Sequence, residues 1–197
     1  DDVPPSIQSL VLARIDRLPA KEKEALQAAS VLGQRFAIDT LRYLIQIENY
    51  DGGELINRQL IKPDGDQFLF AHALVQEGVY NSLIAPKRKI LHRRAADYFA
   101  QQDLLLAAQH LDRGEDPNAS AAYLAAATSH ALLYRFESSA SLTKRGIELC
   151  NDDATLCSLL CVRGESLTHM GDTEAAIDAF TLALSKSPPL ELCYDAS

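Results

Sequence analysis

Apolar residues return every three to four positions along almost the whole chain, so the pattern predicts one helix after another. Pro4-Pro5-Ser6 opens the first, with Ser6 as its N-cap, Ile7, Leu10, Val11 and Ile15 on one stripe, and Pro19 closing it. A second begins at Ala20, carries Leu26, Ala29, Val31 and Leu32, and ends with Gly33 as its C-cap. Asp39 and Thr40 start a third with Leu41, Leu44 and Ile45, and a fourth covers about Gly53 to Leu60. The period then changes. Ile61 to Phe70 holds two short apolar stretches about a Pro63-Asp64-Gly65 turn, which predicts a β-hairpin. Helical period returns from His72 to Ile84, through Leu74, Val75, Val79 and Leu83, and breaks at Pro86. Residues 87–101 follow as another helix with Ile90, Leu91, Ala95, Tyr98 and Phe99 inward.

From about residue 104 the chain reads as alanine-rich helix pairs with an internal repeat. In residues 157–188 the small Gly164 and Ala176 allow two helices to approach, Gly171-Asp172 makes their turn, Phe180 and Ala183 face the next helix, and Pro188 stops the unit. These positions resemble a tetratricopeptide (TPR) repeat. A weaker copy lies 37 residues earlier, with Ala127 for Gly164, Ser139 for Ala176, Thr143 for Phe180 and Gly146 for Ala183. Its spacing exceeds the usual period by three, which points to an insertion near Asn151-Asp152-Asp153. A third, more degenerate pair is expected near 104–119. Helices followed by a hairpin are the outline of a winged helix. The expected fold is therefore mostly α: a winged helix with a small β-hairpin over residues 1–102, followed by a short TPR-like α-solenoid over 103–197. Pro188-Pro189 with Leu190, Leu192 and Tyr194 looks like the start of a further unit.

Composition narrows the function classes. A 197-residue chain that is 47% hydrophobic and 23% charged is neither a disordered tail nor a disulfide scaffold. The N-terminus shows neither a basic n-region nor an apolar h-region, and no apolar run reaches membrane-spanning length, so no membrane partner and a cytoplasmic location are expected. The net charge of −8 is one-sided: residues 1–100 hold 13 Lys+Arg against 13 Asp+Glu, and residues 101–197 hold 6 against 14. Neither half has the basic balance that phosphate neutralisation requires, so nucleic acid is not an expected partner. Cys150, Cys157, Cys161 and Cys193 lack zinc-ligand spacing and read as small hydrophobes in a reduced core. No metal is expected.

The first half also carries a resemblance that composition does not reveal. Val3-Pro4-Pro5-Ser6-Ile7, Leu12-Ala13-Arg14-Ile15-Asp16-Arg17-Leu18-Pro19, Ala28-Ala29-Ser30-Val31-Leu32-Gly33 with Phe36, and Phe70-Ala71-His72-Ala73-Leu74-Val75-Gln76-Glu77 with Tyr80, Arg88, Leu91 and His92 occur in order. This set resembles the segment after the ATPase core in STAND-type (AAA-like) signalling ATPases, including those linked to class III adenylate cyclases and LuxR-type regulators. The resemblance implies a regulatory arm, with ATP or ADP held by an upstream ATPase domain. No GxxxxGK[ST] occurs in this chain, so no cofactor is expected in it. It further implies that Phe70-Ala71-His72-Ala73 is similar to the Met-His-Asp motif of related winged helices. His72 would then sense the nucleotide β-phosphate in the intact parent, and Ala73 stands where that motif has Asp. By analogy with TPR proteins, the concave face holds Cys161, Glu165, Thr168 and His169, with Leu124, Thr128, Ala131 and Leu132 in the earlier copy, as a groove for a protein or peptide effector.

Two other readings of the residues stand beside this one. The basic run Pro86-Lys87-Arg88-Lys89-Ile90-Leu91-His92-Arg93-Arg94 would suit a DNA-binding winged helix with a TPR sensor, as in a transcriptional regulator, or a solvated helix face. Catalysis has no constellation behind it. His72, His92, His110, His130 and His169 fall one to a helix without i,i+4 pairing, and no Ser-His-Asp or Cys-His arrangement is readable, so the chain is expected not to be an enzyme.

Overall fold

A computed structural model describes residue 13 and residues 15–186. The expected cap Ser6, the stripe residues Ile7, Leu10 and Val11, and Cys193 and Pro188 to Tyr194 lie outside the described residues. The chain divides into two compact units, Asp1–Gln102 and Asp103–Ser197. No described helix is long and apolar enough to cross a membrane.

The first unit is built round α1 (Ala20–Leu32), whose Ala25, Leu26, Ala28 and Ala29 are fully buried. Alanines at these positions let α2 (Ile38–Ile45), α4 (Ala73–Ser82) and α5 (Ala85–Phe99) pack against it. Gly33, at φ 104, turns the chain out of α1 into β1 (Arg35–Ala37). β1 and β2 (Ile61–Asp64) flank β3 (Gln67–Phe70) in an antiparallel sheet, with Phe36 opposite Phe68 and Ile61 opposite Phe70. Phe36 packs on Phe68 and Phe70 at ring-centroid distances of 6.0 and 5.7 Å. The hairpin matches the pattern reading, whereas β1 has no counterpart in it. Three residues are too few to display alternation, and their partners lie 30 to 34 positions away.

Three expectations in this unit are corrected. The fourth helix, α3, ends at Asn57 instead of Leu60, because Gln59 takes a left-handed conformation at φ 55 and Leu60 donates back to the Leu55 carbonyl at 3.0 Å. Pro86 sits in the first turn of α5, where its missing N–H needs no partner, so it starts that helix. Ile90 faces out at 52% exposure, and Leu74 and Ile84 also turn outward. The inward place on α5 goes to His92, which is fully buried and hydrogen-bonded through Nε2 to the Tyr80 hydroxyl at 2.9 Å.

The second unit is a TPR-like stack of helices: α6 (Leu104–Arg113), α7 (Ala119–Leu132), α8 (Phe136–Leu149), α9 (Asp153–Met170) and α10 (Thr173–Lys186). Each packs on its sequence neighbour, and α7 also meets α9. Shifting α8 by 37 residues lands on α10 end for end. The expected insertion falls at the start of α9, where the Asp152 carboxylate accepts from the Thr155 N–H at 2.8 Å and caps the longer helix. Close packing between helices sets the small residues. A Cβ on Gly164 would lie 2.6 Å from the Phe180 ring, and one on Gly146 would lie 2.7 Å from Leu159. In the earlier pair the sizes are exchanged, with a methyl at Ala127 and the smaller Thr143 in place of the ring, both fully buried. Arg145 clips α8 to α6 by a two-pronged pair with Asp112, at 2.8 and 2.9 Å, and Tyr123 of α7 donates to the same carboxylate at 3.1 Å. The Arg145 bonds hold the Asp112 carboxyl below the usual carboxylate range.

Candidate functional site

α7 and α9 are the first helices of successive pairs, and they lie side by side. Residues four apart on a helix share a face, so Leu124 and Thr128 on α7, and Cys161, Glu165 and His169 on α9, form two facing stripes. Between them lies a cavity of about 260 Å³. Thr128, Ala131 and Leu132 line it from α7, Val162, Glu165 and His169 from α9, and Tyr134 and Phe136 from the α7–α8 turn and the start of α8. Of the residues the repeat pattern points to, Thr128, Ala131, Leu132, Glu165 and His169 thus surround one space. Leu124, Cys161 and Thr168 do not line it. Leu124 is half-buried and offers its carbonyl to the Thr128 hydroxyl at 2.9 Å, and Thr168 bonds the Gly164 carbonyl at 2.8 Å.

The lining combines aromatic Tyr134 and Phe136, apolar Ala131, Leu132 and Val162, and polar Thr128, Glu165 and His169. The His169 imidazole stacks flat on Phe136, with centroids 4.2 Å apart and planes 9° from parallel, and Tyr134 meets Phe136 edge-on at 6.0 Å. His130 Nδ1 and the Ser138 hydroxyl are bonded at 2.8 Å and tie the end of α7 to α8. Glu165 is the one acidic lining residue; it is exposed and has no ion-pair partner among the described residues. Burial, then Cys157 and Glu165, push the Cys161 thiol up, which keeps it protonated and a poor nucleophile.

Tyr134, Phe136 and Val162 escaped the sequence reading. Tyr134 is 81% exposed and sits in the left-handed region at φ 59, which costs an ordinary side chain about 1 kcal/mol. Its equivalent 37 residues later is Gly171, at φ 83. The earlier turn therefore keeps a strained tyrosine where the later one uses glycine. The apolar run Leu132-Leu133-Tyr134, in a turn that solvent chemistry would make polar, is the signal that marks this place in the sequence.

In the first unit, His72 occupies the N-cap position of α4 with an exposed side chain that makes no cap hydrogen bond. The basic run is drawn into the fold. Lys87 donates to the Gln27 side chain at 2.8 Å, Arg88 lies over the Tyr80 ring, Arg94 donates to the Leu44 carbonyl at 2.9 Å, and Lys89 and Arg93 also have partners. A wider cleft of about 770 Å³ lies between α2 and α5, beside Tyr43 and Tyr98. Its arginines are committed, Arg42 to the Tyr50 carbonyl and Asp39 and Arg94 as above, and its side chains carry both signs. It selects no ligand chemistry, and the α7–α9 groove is the candidate site.

No protein-family model matches the chain, and neither does any curated protein sequence. Among solved structures it is similar to a Signal Transduction ATPase with Numerous Domains (STAND) protein with a tetratricopeptide repeat sensor from Pyrococcus horikoshii. The TM-score is 0.53 at 13% identity, over 94% of this chain and 34% of that one. The likeness is one of fold, and the chain spans about a third of that protein's length.

Proposed function

We propose that this chain is a non-catalytic regulatory and protein-interaction arm of a multidomain signalling ATPase. In this reading its α7–α9 groove holds a segment of an effector protein while its first unit follows the nucleotide state of an upstream ATPase domain. The observation that carries the reading is the groove itself: a concave, partly aromatic space between equivalent helices of successive repeats, with a strained tyrosine on its rim. At about 260 Å³ it falls below the roughly 300–1,000 Å³ of small-molecule sites, so it suits one large side chain of a bound segment. The STAND protein with its TPR sensor, as a fold neighbour, supports placing such an arm beside an ATPase.

The first unit is read as a winged helix, a view supported by three helices and a strand ahead of the β2–β3 hairpin. His72, exposed at the start of the helix that follows the hairpin, is then the residue that meets the nucleotide in the closed parent. Differential contact of this unit with the ATP- and ADP-bound forms would couple the two ends of the arm. A nucleotide cyclase is the output domain we favour for the parent, on the family resemblance of the first hundred residues.

Selection of a random peptide display library on the whole chain tests the groove. Peptides with an apolar anchor are expected to enrich, and Leu132→Glu, at a position 75% exposed and so safe for folding, is expected to abolish their capture. Enriched peptides that bind the Leu132→Glu variant as well as the parent would remove the groove from the proposal.

A further inference from the structure

The groove's chemistry narrows its occupant, on the premise that it binds a protein segment at all. Leu132, Val162 and Phe136 offer an apolar seat for one side chain. The formal negative charge beside that seat is Glu165, which lacks an ion-pair partner among the described residues. The half of the chain that contains the groove holds 14 acidic residues against 6 basic ones, with Arg135 the exposed cation between the lining residues Tyr134 and Phe136. Tyr134, on the rim, presents an exposed ring whose face attracts a cation, and the chain tolerates left-handed backbone strain to keep a tyrosine there. Gly171 fills the equivalent turn of the next repeat without that strain, so the turn by itself does not need the ring.

We infer that the groove is selective for a basic segment: an apolar side chain seated among Leu132, Val162 and Phe136, flanked by a lysine or arginine that meets Glu165 and the Tyr134 ring. The alternatives on charge are poorer. An acidic segment would face Glu165 and the acidic half of the chain, and a neutral one would leave the carboxylate without a partner. Tyr134 acts here as a specificity-determining residue whose strain is retained for binding.

The test uses the whole chain labelled with ¹⁵N and the peptide Ser-Gly-Lys-Leu-Lys-Gly-Ser, with versions carrying Gln or Glu for both Lys, or Ser for Leu. Amide shifts of Thr128, Ala131, Val162 and His169 report occupancy. The lysine peptide is expected to bind about two- to fivefold tighter than the glutamine one, the scale of an exposed ion pair, and the preference should fade in 0.5 M salt. Replacing Leu by Ser should weaken binding about tenfold or more. Glu165→Gln should erase the preference for lysine and keep the preference for Leu over Ser. Tyr134→Gly should weaken the lysine peptide while leaving the unfolding midpoint unchanged or raised, which a merely structural tyrosine would not do. Equal binding of the lysine and glutamate peptides, or a lysine preference that survives Glu165→Gln, overturns the inference and leaves the groove standing. If no Leu-bearing peptide moves the groove signals, the groove reading fails and the inference falls with it.

Discussion

Adding one methyl at Gly164 should have opposite consequences depending on a ring in the next helix. In the helical interior of α9, Gly→Ala normally gains about 1 kcal/mol. Here the new Cβ would sit 2.6 Å from two carbons of Phe180 and 2.9 Å from a third, so the ring or the helix must shift. Overpacking of this kind costs about 1–3 kcal/mol, so Gly164→Ala alone should range from neutral to about 2 kcal/mol destabilising. Phe180→Thr alone should lose about 2–3 kcal/mol from the half-buried ring. On that background the obstacle is gone, and Gly164→Ala should now stabilise by about 1 kcal/mol. The double variant reproduces the pair found at Ala127 and Thr143, both of which are fully buried in the earlier repeat. A cycle of four proteins, unfolded in urea and followed by far-ultraviolet circular dichroism, should give a coupling of about 1–3 kcal/mol. If Gly164→Ala shifts stability by the same amount with and without the Phe180 ring, the close approach does not explain the glycine.

Two further outcomes follow from particular side chains. His110 is 3% exposed, and burial, followed by the Arg113 charge, pulls its pKa from 6.5 to about 4. The unfolded chain therefore takes up a proton before the folded one does. Stability present above pH 6.5 is lost on acidification, by about 2–3 kcal/mol as pH approaches 4. His110→Gln should remove that share of the slope in urea titrations at several pH values, and a variant with the parent's slope would exclude His110 as its source. In the intact parent ATPase, His72→Ala should speed ADP release, measured by displacement of a fluorescent ADP analogue. An unchanged off-rate would return His72 to a plain helix-start residue.

The helices were legible because their apolar period is continuous and some ends are marked chemically, by Gly33 in one case and Gly171 in another, whereas the cap at Asp152 shows only in the fold. The β2–β3 hairpin was legible through its local turn. β1 was not, since its pairing with β3 is decided by contacts far along the chain that no short window contains. Ile90 and His92 exchanged roles for a related reason. Hydrophobicity favours burying isoleucine, but the Tyr80 hydroxyl gives the imidazole a partner inside, and Ile90 turns to the other side of α5. In the candidate site, helix period alone could place residues on the two facing stripes. Tyr134 and Phe136 fall outside that period: the left-handed φ of Tyr134 re-aims its ring, and only the apolar run at Leu132-Leu133-Tyr134 marks the place in the sequence.

The Asp112–Arg145 clip bears on how the second unit comes apart. A stack of helices coupled only to nearest neighbours frays one helix at a time from either end, like a one-dimensional chain of spins. Arg145 on α8 reaches past α7 to hold α6, and Tyr123 on α7 grips the same carboxylate. At this end three helices share one anchoring carboxylate, so α6 cannot leave without breaking bonds that also hold α7 and α8. Among the described residues the polar ties thereby differ along the stack: one carboxylate shared by three helices at α6, and at α10 close packing on α9 with a 3.5 Å contact from Lys186 to Asp153 and a 3.7 Å bond from the Cys157 thiol to the Ala183 carbonyl.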